Sequence, residues 1–115
     1  MSLLDKMAMN TAMKRLKDYH IAPKDAKPID YDTAARPGYS QGSGILLLTN
    51  EALYFGLMGK GSEGAKRIPL DDIGSTEIRN DDYLVLDKDK NLIISLQILS
   101  KRKNFKTLFL QLGRE

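Results

Sequence analysis

Gly59, Gly61 and Gly64 in the stretch GKGSEGAKR follow the G-x-G-x-x-G spacing of a phosphate-cradling loop, with the positive charges of Lys66 and Arg67 close behind. Such a loop holds a nucleotide only when a strand leads into it and a helix leaves it, because the helix N-terminus must face the phosphates. ALYFGLM supplies the strand, but the next segment, KRIPLDDI, reads as another strand and contains Pro69. A Gly-Lys-Ser/Thr run at P-loop spacing is missing as well. The glycines are therefore expected to serve a hairpin loop.

The other candidates for chemistry are equally thin. There is one histidine, His20, beside Tyr19 on an apolar stripe, and there is no cysteine. No motif pairs a nucleophile with a base and a group that orients it. Asp87, Asp89 and Asn91 in DKDKN imitate the start of a calcium loop, yet Leu92 and Ile98 stand where that loop needs glycine and a bidentate glutamate. That segment is expected to be a hairpin turn. Asp71-Asp72 and Asp81-Asp82 are adjacent pairs, whose side chains would point to opposite faces of a strand and into solvent. The expectation is a protein that is not an enzyme and carries neither metal nor cofactor.

The chain of 115 residues has the length of one domain. Without cysteine it has no disulfide or thiolate metal site, and its longest strictly apolar run, Ile45–Leu48, is far too short to cross a membrane. No signal peptide is evident, and the opening Met-Ser-Leu carries no functional weight. These features suggest a cytoplasmic chain, at most peripheral to the inner face of a membrane. Charge is unevenly spread: residues 1–27 hold six Lys/Arg against three acids, residues 99–115 five against one, and residues 28–98 seven against eleven. The basic ends suit either an anionic partner or the acidic middle of the same or a neighbouring chain.

Which elements would position these residues? Met9, Ala12, Met13, Leu16, Tyr19 and His20 form an apolar stripe at helical spacing, giving a helix from Leu3 to about His20. Ser2 is its expected N-cap, Asp5 lies in the first turn, and Pro23 ends it. The Pro/Gly/Ser-rich segment that follows reads as a linker with one short edge strand around Ile29–Thr33. Two apolar runs broken by Thr49-Asn50-Glu51 give a hairpin. Further strands fall in KRIPLDDI, STEIR, DYLVLD and NLIISLQIL. Phe105, Leu108, Phe109 and Leu112 return to helical spacing. Asn104 is the expected cap of that last helix, which would start beyond Lys101-Arg102-Lys103, because cations at a helix N-terminus oppose its dipole. The division is an N-terminal amphipathic helix, 1–24, and a β-rich unit, 25–115.

GILLLTNEALYF (44–55), a glycine-rich loop and then IPLDDI (68–73) resemble bacterial pleckstrin-homology-like domains, relatives of the GRAM domains. Gly44, Leu46, Leu48, Thr49, Asn50, Leu53, Phe55, Asp72 and Ile73 carry the likeness, and Ala52 departs from it where a basic residue is expected. The resemblance implies a mainly β (α+β) fold: a partly open barrel of about seven antiparallel strands capped by a C-terminal helix. The N-terminal helix is extra to that pattern.

The resemblance also implies that three hairpin loops gather at one end and can hold an anionic head group. Here they would offer Arg36, then Lys60, Lys66 and Arg67, then Lys88 and Lys90, diluted by Glu63, Asp87 and Asp89. A nucleic-acid role is not expected, since the basic loop positions largely lack flanking aromatics on which bases stack. The Met-rich stripe of the first helix (Met9, Met13, Leu16 and Tyr19) must be buried on its own domain, on another subunit or in a membrane interface, and its composition suits adaptable protein contact. The leading expectation is a binding module for protein, including itself as a homo-oligomer, working through strand edges and that helix. Peripheral contact with anionic membrane through the basic loops and termini is the alternative.

Overall fold

The computed structural model describes residues 2–35, 44–57, 65–100 and 102–113. Helix α1 (Leu3–Asp18) is followed by strands β1 (Pro28–Ala35), β2 (Gly44–Thr49), β3 (Ala52–Leu57) and β4 (Lys66–Pro69), then a 3-10 turn at Leu70–Asp72. Strands β5 (Ser75–Arg79), β6 (Asp82–Leu86) and β7 (Leu92–Ile98) and helix α2 (Lys103–Leu110) complete the chain. The seven strands form one antiparallel sheet in the order β4-β3-β2-β1-β7-β6-β5. Its two edge strands, β4 and β5, are not paired with each other, so the barrel stays open.

The expected strand around Ile29–Thr33 is longer than its sequence suggests, and it is not an edge. β1 lies between β2 and β7 and joins the four-stranded and three-stranded halves, pairing with β7, among the described residues, at Ala34–Ile98 and Ala35–Gln97. Its inward face is also unexpected. Asp30, Asp32 and Ala34 are buried, while the apolar Ile29 lies outside at 45% exposure.

Two cores flank the sheet. On the inner side Leu46, Leu48, Leu53, Phe55, Ile68, Ile73, Val85 and Leu96 pack around Phe105 and Phe109 of α2. Both phenylalanines are fully buried. With Tyr83 they form an aromatic knot, ring centroids 4.7 Å (Tyr83–Phe109) and 5.5 Å (Tyr83–Phe105) apart. On the outer side α1 lays Met9, Met13 and Leu16 over Leu47, Ala52 and Tyr54. Strands β2 and β3 are thus covered on both faces, which explains why GILLL is a continuous apolar run rather than an alternating one.

The Thr49-Asn50 pair at the β2–β3 turn has a physical role. Buried Thr49 Oγ1 accepts from the Ala52 and Glu51 backbone N–H groups at 3.0 and 3.2 Å, and donates to the Ala52 carbonyl at 2.9 Å. Asn50 then ties this turn to the segment before β1, its Oδ1 accepting from the Lys27 N–H at 2.8 Å. Gly44 has a packing reason: a Cβ there would fall 2.6 Å from the Gly56 carbonyl oxygen and against the Phe55 ring. At the other end Ser2 and Asp5 form the capping box of α1.

Candidate functional site

Polar side chains concentrate in two arginine-centred clusters, one under the start of α2 and one on the outside of β3 and β4. The first grows from β1. Alternation points Asp30 and Asp32 inward, and both are fully buried. A buried carboxylate must be paired or hydrogen-bonded. Arg102 Nη2 and Asn104 Nδ2 donate to Asp30 at 3.0 and 2.7 Å. Asp32 accepts from the Thr33 N–H at 2.8 Å and from the Tyr83 hydroxyl. Burial, and then that bond to Asp32, push the Tyr83 hydroxyl pKa well up.

Arg102 holds more than Asp30. Its Nε donates to the Tyr31 carbonyl at 2.8 Å, Nη1 pairs with Asp5 of α1 at 3.0 Å, and its guanidinium lies 4.5 Å from the centre of the Tyr31 ring. The Tyr31 hydroxyl also donates to Asp5 at 2.8 Å. This bond first, with those from Ser2 and Arg102, holds the Asp5 carboxyl down at about 2. Burial works to lower the Arg102 pKa, but its bonds to Asp30 and Asp5 outweigh that and raise it.

These contacts correct the expected start of the last helix. α2 begins at Lys103 with Arg102 in the N-cap position and no side-chain cap, and Asn104 lies inside the first turn. The expected dipole penalty is offset because Arg102 meets an anion from within the chain, the carboxylate of Asp30. Sequence reasoning overlooked Asp30 and Asp32. The signal that could have found them is the pairing of two aspartates at i, i+2 in a strand with a basic, amide-bearing segment elsewhere.

In the second cluster Arg67 Nη2 pairs with Glu51 at 2.5 Å and Nε donates to the Tyr54 hydroxyl at 3.3 Å, while Tyr54 donates to Glu51. Burial and the Glu51 bond push the Tyr54 hydroxyl up to about 12. Arg67 is thus engaged at the β2–β3 turn by Glu51 and Tyr54. Of the other expected anion-binding residues, Arg36 and Lys60 lie outside the described residues, as do Gly59, Gly61 and Gly64. Lys66 is half-buried on β4, and Lys88 and Lys90 are exposed in the β6–β7 turn. That turn is closed by Asp87 Oδ1, which accepts from the Asp89 and Asn91 N–H groups at 2.9 Å each. The strand after the glycines is β4, antiparallel to β3, so the nucleotide fingerprint lacks its helix.

Of the expected interaction stripe, Met9, Met13 and Leu16 are buried on the chain's own sheet, and Tyr19 is 52% exposed. The open apolar side chains of α1 are instead Leu4 and Met7, 77% and 56% exposed, with Leu3 beside them. Among the described residues no three His, Asp or Glu side chains gather as a metal site would require. Among them, too, no helix is long and apolar enough to cross a membrane. Compared with known proteins, the chain matches no family model, no curated protein and no solved structure.

Proposed function

We propose that this chain is a non-catalytic, pleckstrin-homology-like binding module that associates with protein, in the first place with a second copy of itself. The order β4-β3-β2-β1-β7-β6-β5 with a helix closing one end is what the resemblance implies, and it supports that reading. The non-catalytic part draws on Asp30, Asp32 and Tyr83, which are fully buried and bonded to one another or to Arg102 and Asn104. A substrate has no access to them.

The observation that carries association is the ridge of Leu4 and Met7 on α1, large apolar side chains that solvate poorly and lie a turn apart on one helix. Charge favours a second copy: α1 carries Lys6, Lys14, Arg15 and Lys17, whereas Asp71, Asp72 and Asp81 stand exposed around the β5 edge. β5 also has an unpaired side to which a partner strand can add. Sedimentation velocity over a concentration series tests this. The chain should associate, and Leu4→Glu with Met7→Glu should return it to a monomer without loss of thermal stability. A strict monomer throughout refutes self-association.

The anionic-membrane reading draws on Lys66, Lys88 and Lys90, with Asp87 and Asp89 interleaved and Arg67 engaged by Glu51. Among the described residues the acids beside these lysines dilute their charge, and this reading takes second place. Co-sedimentation with anionic and neutral vesicles at two salt concentrations separates the two, because electrostatic adsorption weakens as salt rises.

A further inference from the structure

The C-terminal end of α1, the turn after it and β4 border an open, solvent-exposed cleft of about 470 Å³ lined by Lys17, His20, Ile21, Ala22, Pro23, Lys24 and Arg67. Three of these seven residues are cations, and the fourth polar one is the chain's single histidine. Lys17, Lys24 and His20 make no ion pair among the described residues, and Arg67 uses Nε and Nη2 on Tyr54 and Glu51, leaving Nη1 without a partner among them. Glu51 is the acid that answers Arg67. Asp18 is engaged by Lys14 at 2.9 Å on the exposed side of the helix, and Asp25 is exposed beside Lys24.

A helix C-terminus ordinarily repels anions through its free carbonyls. Here the carbonyls of Arg15, Leu16 and Lys17 are occupied, accepting from the N–H groups of Tyr19, of Ile21 and Ala22, and of His20 respectively. That wrapping turns on His20 itself, whose φ of 60° lies in the left-handed region that glycine enters freely. A histidine there costs stability that glycine would not, and it places an imidazole donor at the cleft.

We propose that this cleft binds a phosphate-bearing anion, held by Lys17, Lys24 and Nη1 of Arg67, with His20 donating from the helix end. Arg67 is already held by Glu51 and Tyr54, so its guanidinium is presented in one orientation, which lowers the ordering cost of a charge-assisted bond from Nη1. The lining includes neither the β6–β7 turn nor the Leu4/Met7 ridge, and the site does not depend on self-association.

Isothermal titration of the full chain with inorganic pyrophosphate at constant ionic strength tests the site. Binding should be measurable, and the pair Lys17→Gln, Lys24→Gln should weaken it at least about tenfold. The pair Lys88→Gln, Lys90→Gln, which removes the same charge elsewhere, should leave it unchanged. His20→Gly supplies a split that a structural role alone does not: melting temperature rises while pyrophosphate affinity falls. Vesicles containing phosphatidic acid, compared with phosphatidylcholine alone, identify the source of the phosphate. Capture through Lys17 and Lys24 points to a lipid head group, and pyrophosphate binding without capture points to a soluble phosphate. Absence of heat at about 10 mM pyrophosphate overturns the proposal. Equal losses in both lysine pairs overturn it too, since only diffuse net charge would then be at work.

Discussion

The two helices cover opposite faces of one sheet with different materials. α2 drives two aromatic rings, Phe105 and Phe109, into the interior, where neither retains any exposure. α1 rests on the outer face through Met9, Met13 and Leu16, each keeping 4–8% exposure, and leaves Leu4 and Met7 in water. A rigid aromatic plug has few alternative packings, whereas unbranched methionines accept many. The inner helix therefore has the more specific packing, and the outer one the more adaptable.

The contrast breaks most visibly at the plug. Phe109→Ala should destabilise by about 3–5 kcal/mol in urea unfolding, through lost burial and the cavity left against Tyr83. Because a domain of this size is stable by about 5–15 kcal/mol, Phe109→Leu is the milder companion should the alanine variant fail to fold. A loss of less than about 1 kcal/mol would mean that α2 does not plug the interior.

Next in size is Arg102→Ala, which strands the fully buried Asp30 carboxylate and should cost about 3 kcal/mol. Replacing Asp30 by Asn in the same chain should recover part of that loss. A double-mutant cycle reads the coupling, and additive losses would show that Arg102 and Asp30 act independently.

Much of this architecture is legible in the residues, and the reasons differ by element. NLIISLQIL announces β7 by its period, and Phe105, Leu108, Phe109 and Leu112 announce α2, because each buries a face with one consistent spacing. Thr49 marks its turn because its side chain bonds the backbone of Glu51 and Ala52, whereas the bond of Asn50 to Lys27 is a tertiary one. β1 defeats the same logic: its buried face is Asp30, Asp32 and Ala34, and only tertiary partners far along the chain, Arg102, Asn104 and Tyr83, make that burial tolerable. The Arg67 pairing is hidden for a similar reason, since Glu51 and Arg67 meet only once β3 and β4 are in register. Periodicity reports apolar burial and is silent where burial is bought with ion pairs.

Met13→Ala on the outer helix should cost less than the plug variant, about 2 kcal/mol, since Met13 packs among methionine and alanine side chains of the outer core, which can shift to fill the space. The near-ultraviolet signal of the inner aromatic knot should persist in that variant. If Met13→Ala destabilises as much as Phe109→Ala, the outer helix is as much a part of the fold's specification as the inner one, and the contrast fails.

The smallest effect sits where the two helices touch ionically, at Asp5 of α1 and Arg102 before α2. The Asp5 carboxyl is held at about 2, below its ordinary 3.8. A depressed carboxyl stabilises the folded chain fully above the unfolded value and loses that contribution as pH falls toward the folded one. The bonds from Tyr31 and Arg102 should thus help hold α1 in place at neutral pH and weaken between about 3.8 and 2. Asp5→Asn keeps an oxygen for the Tyr31 hydroxyl but removes the charge, so its urea midpoint should lie slightly below that of the parent near neutrality. The two should converge as the pH approaches 2. Solvent screens this rim pair, which is why the gap is small. Parallel midpoints across the whole acid range would mean that Asp5 places no charge-dependent tie between the helices, and that α1 is held by its methionines and Leu16 alone.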